Sequence, residues 1–156
     1  MKKLLIIVIS LICVLTASLF VIKNLNTNTD DISKILKSDM STFDQSEAIN
    51  EKVESKLSEC EKLKNDIMLL IEALYTKNET VGSYFSNEEI IKSFNSYYED
   101  SVNKIDAQTS FDEYRCAFKY LSGSEASVEI ASLKYSYCVD LYDELNKLYV
   151  YLNELK

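Results

Sequence analysis

The chain has 156 residues, of which 25 are acidic and 17 basic, so its formal net charge is −8. It contains no histidine, no proline, no tryptophan and only two glycines. The absence of histidine excludes catalysis built on imidazole, and a surface this acidic repels nucleic acid and anionic lipid headgroups. We therefore expect a non-enzymatic protein that has no cofactor and does not bind nucleic acid.

The first predicted element is an apolar helix near the N-terminus. The uncharged run from Leu4 to Ile22 is 19 residues long. As a helix it would cover roughly 28 Å, close to the hydrocarbon thickness of a bilayer. Lys2 and Lys3 precede the run, and the positive-inside bias therefore places the N-terminus in the cytoplasm. We interpret residues 1–23 as the anchor of a single-pass protein of the cell membrane.

Two other interpretations of this segment stay open. In a cleaved signal peptide, Thr16 and Ser18 would be the small residues at the cut site, and the mature protein would be secreted. In a lipoprotein, Cys13 would carry the lipid, although Ile12 is larger than the small residue expected before it. All three interpretations place residues 24–156 outside the cytoplasm.

A linker and a long helix are predicted next. Residues 24–43 have the polar, aperiodic character of a juxtamembrane linker, with one short helix through Ile32 and Leu36. From about Asp44 to Lys77, apolar side chains recur every three or four residues, which indicates an amphipathic helix. Glu–Lys neighbours at helical spacing cover its other side, as expected for a solvated face.

The following segment contains two helix-start signals. Ser86 with Glu89, and Ser110 with Glu113, both match the capping box, in which a serine and a glutamate satisfy each other's free amides. We expect a third helix to begin at the first box. We expect a short fourth helix to begin at the second, carrying the apolar residues Phe111, Tyr114, Phe118 and Leu121.

The last predicted helix runs from Glu125 nearly to Lys156, after a stop at Gly123. From Cys138 to Leu155 its apolar residues alternate at spacings of three and four, which is typical of a coiled-coil seam. No segment of convincing length shows the alternation of a β-strand. The prediction is an all-α protein, in which residues 44–156 form an antiparallel bundle of about four helices.

Three cysteines lie in the part of the chain that is expected outside the cytoplasm, where disulfides persist. We prefer a disulfide between Cys60 and Cys116 over one between Cys60 and Cys138, because a short fourth helix brings Cys116 level with Cys60. The third thiol would remain free or pair with another chain. The spacings do not match a redox motif or a zinc knuckle.

Tyrosine is the most unusual feature of the composition, with 11 residues in the chain. Several lie on the last helix and cannot all face one core stripe. Tyrosine is favoured at protein interfaces, but it can equally fill the edge of a core. The predicted partner face consists of Tyr135, Tyr142, Tyr149 and Tyr151.

These features favour a membrane-anchored interaction or envelope scaffold protein. It would be held in the membrane by residues 4–22 and would bind a protein partner or another copy through its last helix. The alternative is a small-ligand binding or sensing module that works with a separate membrane protein. An anchor followed by helices resembles the outer part of four-helix sensor domains in bacterial receptors, a resemblance of general plan without a shared motif.

Overall fold

The computed structural model describes residues 30–77, 86–119 and 123–156, and these ranges form four helices without a strand. The helices are α1 (Asp30–Leu36), α2 (Thr42–Lys77), α3 (Asn87–Ala117) and α4 (Gly123–Glu154). The all-helical prediction is confirmed. The predicted anchor, residues 1–23, lies outside the described residues. Within the described ranges, none of the helices combines the length and the apolar character needed to cross a membrane.

Helix α2 begins at a serine cap and buries a regular stripe. The backbone N–H of Asp44 donates to Ser41 Oγ at 3.2 Å, and Ser41 Oγ donates to the Asp44 carboxylate at 2.7 Å. This pairing satisfies one of the amides that the first turn of a helix leaves free. The buried residues then follow the spacing of three and four that predicted the helix: Ser46, Ile49, Val53, Cys60, Leu63, Ile67 and Leu70.

Helices α2 and α4 lie side by side and run in the same direction. Cys60 is beside Cys138, with its thiol donating to the Cys138 carbonyl oxygen at 3.7 Å. Lys77, seventeen residues further along α2, donates to the carbonyl oxygen of Lys156. The offset in sequence from Lys77 to Lys156 is nearly the same as that from Cys60 to Cys138. A constant offset between partners means a parallel pair, and the seam of α4 therefore meets the seam of α2 along most of its length.

Helix α3 runs in the opposite direction to its two neighbours. Tyr97 donates to Glu144 at 3.2 Å near the start of α3, whereas Lys134, earlier in α4, donates to Asp106 at 3.0 Å. Consecutive long helices therefore alternate in direction, as predicted. One end of the bundle, here named the α1 end, contains α1, the first turns of α2 and α4 and the last turn of α3. The opposite end is named the far end.

The predicted break before Ser110 is wrong. Helix α3 is continuous from Asn87 to Ala117, so the bundle has three long helices, and the short helix of the described chain is α1. The capping box at Ser86 is formed as predicted, with Glu89 N–H donating to Ser86 Oγ at 3.1 Å. Ser110, in contrast, donates its hydroxyl to the Asp106 carbonyl oxygen one turn back, as a serine inside a helix does.

Candidate interaction surface

The inner side of the last turns of α3 is attached to α4 by a buried carboxylate. Asp112 is fully buried, and its two oxygens have different partners. Tyr137 of α4 donates to Oδ2 at 2.6 Å, and Arg115 lies 3.0 Å from Oδ1. Arg115 belongs to α3 itself, so the hydrogen bond from Tyr137 is the contact that holds this side of α3 against α4. A buried carboxylate is costly without partners, which favours keeping this contact.

The Tyr137 hydroxyl is held as a hydrogen-bond donor in this cluster. Burial raises the pKa of Tyr137 to about 12, and the hydrogen bond to Asp112 acts in the same direction. At neutral pH the phenol therefore keeps the proton that it donates to the carboxylate. Cys116 lies one turn after Asp112, on the same inward side, and burial raises the pKa of its thiol.

The outer side of the same turns, with the C-cap residue that follows them, carries three exposed rings, here named the aromatic stripe: Phe111, Tyr114 and Phe118. They are 61%, 70% and 82% exposed. At about 100° per residue, these positions fall within roughly 60° of one another around the helix axis. Asp112 and Cys116 point into the bundle, so the attachment of the inner side to α4 is what presents the stripe to solvent.

The aromatic stripe belongs to a wider concentration of apolar surface at the α1 end. Eight large hydrophobic side chains are exposed among the described residues, and six of them lie at this end. Beside the three rings of the stripe these are Leu36 at the end of α1, Met40 in the connection between α1 and α2, and Phe43 in the first turn of α2. The other two, Leu69 and Val150, lie on the far half of the bundle. This uneven distribution makes the α1 end the candidate interaction surface of the described residues.

The predicted partner face on the last helix contains little exposed ring surface. Tyr135 is 2% exposed and belongs to the core, so it cannot contribute to a docking face. Tyr142 is half-buried under the ammonium of Lys56, which lies 4.7 Å from the centre of its ring. Tyr149 and Tyr151 are half-buried and pack against the core. The structure therefore supports the other interpretation of these rings, that they fill the edge of the core.

The structure also changes the preferred pairing of the cysteines. Cys60, Cys116 and Cys138 are buried and free, and the predicted disulfide from Cys60 to Cys116 is not formed. The neighbour of Cys60 is Cys138, because α2 and α4 are parallel and the two residues meet across their seam. Burial raises the pKa of Cys60 to about 12 and that of Cys138 to about 11, so both are thiols at neutral pH.

Other candidate sites are weaker. A shallow, open cleft between α2 and α3 is lined by Leu57, Glu61, Tyr98, Glu99 and Val102, among others. Lys64 covers part of its wall, with its ammonium 5.0 Å from the centre of the Tyr98 ring. Small-ligand sites are usually concave, with a few convergent polar groups, and this cleft lacks that shape. In the described part of the chain, acidic residues and cysteines form no group of three that could hold a metal ion.

Comparison of the chain with protein-family models, with curated proteins and with solved structures gives no match in any of the three.

The aromatic stripe is not predicted as a surface by the sequence pattern. That pattern predicts the three rings on a short separate helix. One signal was present: Asp112 and Cys116 alternate with the rings at helical spacing, so a single helix must turn one set outward. Deciding which set required the partner Tyr137, 25 residues away in sequence.

Proposed function

We propose that the protein is a membrane-anchored helical bundle that acts outside the cytoplasm as a non-enzymatic interaction or envelope scaffold protein. Residues 1–23 would be its anchor, and residues 4–22 would lie in the membrane. The length of the apolar run and the lysines before it support this placement. The bundle would then be a rigid body held close to the outer face of the membrane.

The observation that carries the interaction role is the aromatic stripe. Three exposed rings at the end of one helix form a concentrated apolar surface, and aromatic residues are enriched in the cores of interfaces. The buried hydrogen bond from Tyr137 to Asp112 holds the stripe in a fixed orientation. A preorganised apolar face loses little conformational entropy when it binds.

The proposed docking surface is therefore the aromatic stripe and the apolar residues around it at the α1 end. This surface takes the place of the partner face that was predicted on the last helix, whose tyrosines are engaged with the core and with Lys56. Helix α4 would instead have a structural role, as one half of the parallel pair that supports α3.

The first part of the test is fractionation of cells that express the full chain. We expect the chain in the membrane fraction, retained in high salt and released by detergent. Recovery of the intact chain from the soluble cytosol would contradict the proposal, because the anchor would then not be inserted.

The second part compares two sets of variants by crosslinking in membranes. The test variant replaces Phe111, Tyr114 and Phe118 with serine, and the control replaces the exposed Leu69 with serine. Exposed positions of this kind change stability by about 0.5 kcal/mol or less each, so both variants should fold. We expect crosslinks from the α1 end, to protein or to lipid, to be lost only in the test variant. Equal crosslinking of both variants would show that the stripe is not the docking surface.

A further inference from the structure

We infer that the aromatic stripe is seated in the headgroup layer of the same membrane that holds residues 4–22, so that the α1 end of the bundle lies against the lipid surface. This inference rests on the proposed function, because it requires the anchor to be inserted. The occupant of the stripe is lipid, and the stripe makes a second contact with the membrane, at its interface.

Chain length limits how far the α1 end can be from the membrane. Residues 23–29 connect the apolar run to α1, and seven residues span at most about 25 Å even when fully extended. Ile32 of α1 is buried in the core, so α1 is part of the bundle rather than a free arm. The point where the chain enters the bundle is therefore within about 25 Å of the lipid surface.

The apolar surface at the far half of the bundle is not within the same reach. Helix α2 has 36 residues, which correspond to about 54 Å along its axis. Leu69 is 26 residues beyond Phe43, or about 39 Å further along α2. A lipid surface near α1 therefore meets the stripe and its apolar neighbours before it meets any other exposed apolar side chain of the described residues.

The side chains of the stripe have the chemistry of the interfacial layer. Aromatic rings concentrate at the boundary between hydrocarbon and water, where tyrosine can bury its ring and keep its hydroxyl hydrated. Tyr114 lies between two phenylalanines on the stripe and offers this combination. Arg115 and Lys119, beside the rings, are ion-paired with Asp112 and Glu129, so the rings themselves would make the contact with lipid.

Charge argues against a second copy of the chain as the occupant. The net charge of −8 makes two copies repel each other, whereas a neutral lipid surface has no such repulsion. The anchor also keeps the membrane at a high effective concentration near the stripe at all times. The same negative charge means that the contact must be made by the rings and not by attraction to anionic lipid.

The absence of tryptophan from the chain makes a direct test available. In the full chain, Phe118→Trp places a single indole fluorophore on the stripe, and Leu69→Trp places one at an exposed position on the far half. Each variant is reconstituted into phosphatidylcholine vesicles with and without bromine on the acyl chains. Circular dichroism checks that each variant is as helical as the parent protein.

We expect brominated lipid to quench the fluorescence of the Phe118→Trp variant at least twofold, and that of the Leu69→Trp variant to be unaffected. The quenching should persist when the protein is diluted in lipid, and it should not increase when phosphatidylglycerol is added. The Tyr114→Trp variant should repeat the result at a second position of the stripe.

Two outcomes would overturn the inference. If the indole of the Phe118→Trp variant is unquenched by brominated lipid and open to an aqueous quencher, the stripe faces water. If that indole is shielded from both quenchers only at high protein density, a second copy of the chain covers it. Failure of the chain to enter vesicles at all would contradict the proposed function instead, so the two failures can be told apart.

Discussion

Two regions of this protein are rich in aromatic residues, and the structure uses them in opposite ways. On α4, Tyr135 is in the core and Tyr142 is covered by Lys56. On the last turns of α3, Phe111 and Phe118 project into solvent. The difference lies in the neighbours: α4 packs between α2 and α3, whereas the outer side of α3 has no partner helix in the described part of the chain. The number of aromatic residues on a helix therefore does not identify a docking face unless the helices that pack against it are known.

Raising the pH should have the largest effect, because it removes protons from inward-facing groups and thereby lowers the free energy of unfolding. The pKa of Cys60 is raised from 9.0 to about 12, that of Cys138 from 9.0 to about 11, and those of Tyr97 and Tyr137 from 10.0 to about 12. The unfolded chain loses these protons first, so the stability is complete below about pH 9 and is lost as the pH rises through 11–12.

The expected size of this pH effect is large for the two fully buried thiols. Each unit by which a pKa is raised corresponds to about 1.4 kcal/mol. Several kcal/mol are therefore lost from a free energy of unfolding that usually totals about 5–15 kcal/mol. Far-ultraviolet circular dichroism against pH should show unfolding in the range where the buried tyrosines contribute their phenolate absorbance. Helices that persist while all 11 tyrosines ionise near the ordinary pKa of about 10 would show that these groups are not buried.

Truncating one ring in each region should separate core from surface. Tyr135→Ala should lower the free energy of unfolding by about 3–5 kcal/mol, the usual cost of removing a buried aromatic ring. Phe118→Ala should change it by about 0.5 kcal/mol or less, because the ring is exposed. Urea denaturation in detergent measures both values. Similar losses in the two variants would mean that Phe118 is packed and that the stripe is not a free surface.

Removing one hydroxyl tests the attachment that orients the stripe. Tyr137→Phe leaves Asp112 without its hydrogen-bond donor in a buried site, and we expect a loss of about 1–3 kcal/mol in the free energy of unfolding. Tyr97→Phe is the matched control, because its partner Glu144 is only half-buried. It should lose less than about 1 kcal/mol. A reversed order would place the critical contact between α3 and α4 at the start of α3 instead.

The two serine motifs of α3 give the smallest expected effect. Ser86→Ala removes a formed cap and should cost about 1 kcal/mol. Ser110→Ala lies inside the helix, where alanine is the better helix former, so it should be neutral or slightly stabilising. Thermal unfolding of the two variants side by side would measure the difference. A loss at Ser110 as large as that at Ser86 would indicate a helix boundary there after all.

The sequence was sufficient for the long helices and one of their caps. The apolar spacing predicted α2 within two residues of its observed start, and Ser86 with Glu89 predicted the start of α3. Both signals are local. An apolar stripe at helical spacing fits only a helix, and a capping serine needs only the first turn of the helix that it caps. Such features can be predicted from a sequence without knowledge of its partners.

The sequence did not predict where α3 continues or which side of it is buried. The Ser110 motif has the pattern of a cap, but no glycine or proline precedes it, and extending an existing helix costs less than starting another. Parallel pairing of α2 with α4 was also not predicted, and it determines that Cys60 meets Cys138 rather than Cys116. These outcomes depend on contacts between distant residues, which a local pattern does not contain.

The parallel pairing of α2 with α4 has a consequence for how the chain folds. Cys60 and Cys138 are 78 residues apart in sequence, and their contact requires the chain to travel the length of the bundle and return. Closing so long a loop costs entropy before the seam stabilises it, and helical proteins dominated by such distant contacts fold more slowly than bundles of adjacent hairpins. Helix α3 is the return path that joins the two halves of the main core.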